Sequence, residues 1–225
     1  MVKNIVNLGD AALYCDFGYE VNKETNSKVI SYFTNLKYKK LKGVTNLSPS
    51  YNKLIITYDL NETSFDTLKN KILELEISNS VENKSQKINI PICCDEEFSL
   101  DIKRLEKKFN KSKSEIIKIF LNKSYFCYMT GFVAGMPFLG DIDKTIQLNR
   151  LETPRVIVPK GSVGVTEQFC NVYTFESPGG WNIIGNTPLN IFNPSNREKP
   201  NLVSPGDEIK FYEIKKKEYQ EIYEK

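Results

Sequence analysis

The sequence predicts an α+β protein in two parts, an α/β module over residues 1–87 and a β-barrel over residues 88–225. Three observations predict it. Up to Ile90, strand-like runs alternate with segments of helical period. Beyond Tyr125, Gly, Pro and aromatic residues punctuate short apolar runs, the texture of a closed or nearly closed barrel. A hydrophobic fraction of 40% in 225 residues supplies enough apolar material for a sizeable core.

Residues 11–17 form an apolar run ended by Gly18, a predicted strand. In residues 27–40, Val29, Ile30, Phe33 and Leu36 recur on one helical face, and Gly43 follows as a stop signal. Strands are predicted at 44–47 and 53–59, separated by Ser-Pro-Ser-Tyr-Asn turn chemistry. Ser64 caps a second helix carrying Phe65, Leu68, Ile72 and Leu75. A polar stretch, 78–85, then leads into a strand at 87–90. The order β-α-β-β-α-β is the split βαβ, or ferredoxin-like, arrangement. Two short amphipathic helices follow. Ile102, Leu105 and Phe109 mark the first; Ile116, Ile117, Phe120 and Leu121 mark the second, capped by Ser112 or Ser114. Barrel runs include 155–158 and 209–212, and the basic run at 215–217 opens a solvated tail.

The chain contains no histidine. That removes His-based triads, His general bases, His metal ligands and phosphohistidine chemistry. Acid–base work falls to carboxylates, Lys, Tyr, Cys or a partner's groups. Lys and Arg total 31 against 28 Asp and Glu, a net charge of +3 that is too balanced for a nucleic-acid groove. Cys15, Cys93, Cys94, Cys127 and Cys170 form no CxxC pair, so they read as reduced, buried thiols and as no zinc site. The N-terminus has no apolar leader and no stretch is long enough to span a bilayer. The expectation is a cytoplasmic protein with no membrane partner.

Four Gly-rich segments are the most specific feature: 131–140 (GFVAGMPFLG), 154–164 (PRVIVPKGSVG), 177–187 (SPGGWNIIGNT) and 205–207 (PGD). By residue type alone they are barrel corners and bulges, and none is a GxxxxGKS/T phosphate loop. In order and spacing they resemble the pattern GFxPGFxYLG, PRxxVPxGSVG, PGGWxxIGxT and PGDxVxF of one family. That family is the small subunit of bacterial ATP-dependent 5-oxoprolinase (PxpB). It also includes KipI-type inhibitors of a sporulation histidine kinase and proteins labelled allophanate hydrolase subunit 1. The likeness is strong over 88–212, with Ile90-Pro91-Ile92 and Asp101 in the lead-in. It implies a ferredoxin-like domain at 1–87 followed by a cyclophilin-like β-barrel at 88–225. The family usually carries a histidine where counting back from Gly131 places Phe120. Ala134, Met136 and Phe138 stand for its usual Pro, Phe and Tyr, and Phe169 for a Gln.

The resemblance and the residue types nominate contacts to substrate, ATP or another subunit at Arg155, Lys160, Ser162, Gly179, Gly180, Trp181, Thr187 and Phe138. No catalytic residue and no metal ligand is assigned. Arg155 is one of only four arginines. It is either a planar clamp on a carboxylate or phosphate, or a salt bridge pinning the Pro-Gly-Gly-Trp loop. Trp181 reads as a packed corner ring before a stacking platform. Ser162 reads as a turn hydroxyl, having no histidine to activate it. Lys160 is a turn lysine or an electrostatic contact to a transferring phosphate. Asp207 is a turn-forming residue.

The resemblance implies an enzyme subunit that is inactive alone. With a paralogous PxpC-like subunit and a separate PxpA-like protein, it would open 5-oxo-L-proline to L-glutamate. ATP with Mg would act at the level of the complex, with no cofactor assigned to this chain. The alternative expectation is a KipI-like inhibitor that docks on a sensor histidine kinase. A carboxyltransferase-like role in urea or allophanate systems needs a biotinylated partner and ranks last.

Overall fold

Period-two alternation builds the first sheet. Leu13 and Cys15 of β2 (Ala12–Asp16) and Leu54, Ile56 and Tyr58 of β4 (Lys53–Tyr58) are buried in one cluster. The computed structural model describes residues 2–77 and 85–224, and the chain divides into two units, Met1–Ser85 and Gln86–Lys225. In the first unit, β1 (Asn4–Asn7), β2, β4 and β3 (Val44–Pro49) form an antiparallel sheet in the order β1-β2-β4-β3. Helices α1 (Lys23–Lys39) and α2 (Phe65–Leu73) add Val29, Tyr32, Leu36, Leu68 and Ile72 to its core. α1 starts earlier than the apolar spacing indicates because the Asn22 side chain accepts from Thr25 N at 2.9 Å. Ser64 caps α2 by accepting from Thr67 N at 3.3 Å.

The expected β-α-β-β-α-β order is not what the chain adopts. The strand at 87–90 lies within β5 (Lys87–Cys93) of the second unit. The sheet position beside β2 is filled instead by β1, from the start of the chain. β1 has little sequence signal, since it is four residues long and buries Ile5 alone. The polar stretch at 78–85 lies, apart from Ser85, outside the described residues.

The second unit is a closed barrel of seven strands in the order β10-β7-β6-β13-β5-β12-β9. These are β5, β6 (Ser124–Thr130), β7 (Pro137–Gly140), β9 (Ser162–Thr166), β10 (Phe169–Val172), β12 (Asn182–Asn186) and β13 (Glu208–Ile214). β13 runs parallel to β5, with Glu208 opposite Lys87 and Ile214 opposite Cys93, and the remaining neighbours are antiparallel. α3 (Ile102–Phe109) and α4 (Lys113–Leu121) contribute Ile102, Leu105, Ile116, Ile117 and Phe120 to the barrel's core cluster. A reciprocal capping box between Ser112 and Glu115 starts α4, which selects Ser112 over Ser114. Phe120 is fully buried, its ring 4.9 Å from Tyr125 and 5.2 Å from Phe211.

One further expectation is corrected by the sheet pairing. β8 (Arg155–Val158) is outside the barrel and pairs with β11 (Ser177–Gly179) as a separate two-stranded sheet. Of its apolar residues only Val158 is buried, while Val156 is 82% exposed. The basic run 215–217 is solvated, all three lysines being exposed, and it opens a helix that the sequence does not announce, α5 (Lys216–Tyr223), whose Tyr219 ring packs 4.5 Å from Phe98. All five cysteines are buried free thiols, and burial pushes Cys15 and Cys94 up to about 12.

Candidate functional site

The nominated residues fall into two groups within the second unit. Arg155, Gly179, Gly180, Trp181 and Phe138 belong to a packed corner. Lys160, Ser162 and Thr187 line a cleft.

At the corner, Arg155 Nη2 donates to Asp101 Oδ1 at 2.5 Å. Asp101 sits at the start of α3 yet makes no side-chain capping bond there. Its second oxygen instead accepts from Ile183 N at 2.7 Å, and its own N–H donates to Ile183 O at 3.0 Å. The carboxylate is 6% exposed, so it depends on these partners. Arg155 therefore pins β8, α3 and β12 together, which is the salt-bridge reading of this residue. Leu151 N donates to Gly180 O at 2.7 Å and continues the fastening. Trp181 is 5% exposed; its ring meets Phe138 edge-on at 5.6 Å, and the Arg150 guanidinium lies 5.9 Å from its centroid. Gly179 has a steric reason: a Cβ there would lie 2.2 Å from the Tyr173 hydroxyl. Gly180 has room for one.

The cleft has a volume of about 760 Å³. Residues 159–162 and 186–190 line it together with Glu97, Phe98, Glu176, Tyr219 and Tyr223. Gly161 makes the tight turn at φ +81°, where a Cβ would lie 2.4 Å from both Asn186 Oδ1 and Thr187 O. Asn186 Nδ2 donates to Lys160 O at 2.9 Å, and Tyr219 Oη donates to Asn186 Oδ1 at 2.9 Å. Burial raises Tyr219 to about 12, so its hydroxyl stays a neutral donor. Lys160 Nζ donates to Asn190 Oδ1 at 3.1 Å. Thr187 Oγ1 accepts from Leu189 N at 3.3 Å. Ser162 is buried opposite Asn186 on β9 and β12 with no histidine in the chain to activate it.

Hydroxyls, amides and an aromatic wall suit a small polar molecule. Glu97 and Glu176 line the cleft as well as Lys160, so it carries no excess of positive charge. Among the described residues, no group of three or more Cys, Asp or Glu side chains is placed to hold a metal ion. No helix among them is long and apolar enough to cross a membrane.

The profile of the carboxyltransferase domain, subdomain C and D, matches residues 3–203. The chain belongs to that family. The 5-oxoprolinase B-subunit of Bacillus subtilis (strain 168) is 34% identical over 96% of this chain and 94% of its own length. The corresponding 5-oxoprolinase protein of Haemophilus influenzae is 28% identical over 92% of this chain and 96% of its own length. The crystal structure of TTHA0988 superposes on 91% of the chain with a TM-score of 0.81 at 27% identity. This chain spans only 40% of that structure's length.

The geometry explains why this carboxyltransferase-family chain carries its Gly-rich segments. Three of them meet at Trp181, the first through Phe138, the second through Gly164 and the third by supplying Trp181 itself. Asp207 of the fourth accepts from Ser204 N and Gln86 N, each at 2.8 Å, and so ties the start of β13 to the lead-in of β5. Phe120, where the resemblance leads one to expect a histidine, lies in the barrel core and lines neither the corner nor the cleft. Sequence reasoning missed Asn182, Asn186 and Tyr219. The first two are amides at opposite ends of one strand, a pattern without a recognisable period. Tyr219 sits in a segment whose charge masks its helical tyrosines.

Proposed function

We propose that the chain is one subunit of a cytoplasmic, ATP-dependent 5-oxoprolinase, acting with a PxpC-like paralogous subunit and a PxpA-like protein to open 5-oxo-L-proline to L-glutamate. The observation that carries the reading is the 34% identity to the Bacillus subtilis 5-oxoprolinase B-subunit along 96% of the chain. The site chemistry supports it from another direction. The cleft holds binding groups and no histidine-activated nucleophile, which is compatible with sharing the acid–base work of lactam opening with other chains of an assembled complex. ATP is a substrate of that reaction, and phosphorylation of the lactam oxygen would make the resonance-stabilised amide open to water. Kinship of the barrel to the cyclophilin-like class is part of the same proposal.

Co-expression with the paralogous subunit tests the assembly. The expected result is a stable complex that survives size-exclusion chromatography. Failure to associate, together with tight binding of the isolated chain to a sensor histidine kinase, would replace this reading with the inhibitor one.

A further inference from the structure

A second groove, of about 570 Å³, is lined by Arg104, Lys107 and Lys108 of α3 and by Gln147, Leu148 and Asn149. Three cations and two amides line it with no carboxylate. Positions 104, 107 and 108 share one helical face, so their like charges repel. Lys103, by contrast, is neutralised by Glu96 at 2.8 Å. Among the described residues no carboxylate lies within ion-pair distance of Lys107 or Lys108. Lysines in the last turn suit the helix dipole, but Arg104 stands near the N-terminal end, and the first turn of α3 holds no acid. Helix stability alone does not account for that arrangement.

The groove is also built from behind. Asn182 is fully buried and accepts from Arg104 Nη1. Its Nδ2 donates to Asn149 O at 3.1 Å and to Val165 O at 3.0 Å. One amide therefore orients the arginine on one wall and holds the backbone of the other, with its acceptor and donors in use. A volume of this size suits a small ligand. An arginine fork flanked by two lysines matches the oxygens of linked phosphoryl groups.

We propose that the groove between α3 and residues 147–149 binds a di- or triphosphate group. This inference stands on the groove's own charge and is measured on the chain alone, so its failure would leave the assembly reading untouched. The experiment is calorimetric titration of the full chain with inorganic pyrophosphate, tripolyphosphate, ATP, adenosine and citrate. Pyrophosphate, tripolyphosphate and ATP are expected to bind, with affinity falling as salt is raised, and adenosine is expected not to bind. ATP binding tighter than tripolyphosphate assigns the site to a nucleotide; equal binding assigns it to free polyphosphate. The double variant Lys107→Ala/Lys108→Ala, checked for folding by circular dichroism, is expected to weaken pyrophosphate binding at least roughly tenfold. Lys103→Ala is expected to leave it within about twofold. Absence of pyrophosphate binding, citrate binding as tight as pyrophosphate, or affinity untouched by the folded double variant would each overturn the proposal.

Discussion

Removing the Arg155 guanidinium would leave the buried Asp101 carboxylate with one partner, the Ile183 N–H. Arg155→Ala is therefore expected to cost about 2–3 kcal/mol, allowing for the partial exposure of the arginine, and to lower the urea midpoint accordingly. An unchanged midpoint would mean that the ion pair pins nothing. Phe120 poses the complementary question, because a histidine there would enter an apolar stack between Tyr125 and Phe211. Phe120→His is expected to destabilise the chain by about 2–4 kcal/mol, through lost packing and a buried polar ring. A variant as stable as the parent would show that the position tolerates the imidazole. The cysteines give a third check at this scale. Burial raises the thiols of Cys15, Cys93, Cys94, Cys127 and Cys170 above their ordinary value. They are expected to react with an exposed-thiol reagent only when guanidinium unfolds the chain.

At the scale of elements, α5 buries no residue completely and is held beside the cleft by Tyr219 and by the Lys216–Glu97 pair at 2.8 Å. The folded pKa of Tyr219, about 12, lies above its ordinary 10.0. Its stabilising contribution is thus whole below pH 10 and is lost as pH rises through about 12. Tyr219→Phe is expected to make the fall in urea midpoint over that alkaline range shallower; an unaltered slope would count against the docked tyrosine. Elements with strong local chemistry were legible in the sequence. Ser64 announced the start of α2, the pair Ser112 and Ser114 bracketed that of α4, and Val29, Ile30 and Leu36 announced the buried face of α1. Strand membership was not, because pairing is a long-range property. The run 155–158 reads as a barrel strand but pairs outside it, and the strand at 87–90 reads as the end of one sheet but joins the barrel through β13. The same limit hid the site. Arg155 was legible as unusual, whereas its partner Asp101, 54 residues away, could be matched to it only by the fold.

At the scale of the whole molecule, the second unit places three of its Gly-rich segments in a packed corner, keeps a cleft without excess positive charge beside α5, and concentrates cations in a separate groove. None of these carries a histidine-activated nucleophile, since the chain has no histidine. Membership of the carboxyltransferase family and identity to a 5-oxoprolinase B-subunit point to work shared between chains. The direct measurement is 5-oxoproline-dependent ADP release by the purified chain, by its proposed partners, and by all of them together. Turnover is expected only in the complete mixture, with glutamate formed as ADP is released. Turnover by the partners without this chain, or none in a complete mixture in which the complex has demonstrably formed, would contradict the assignment.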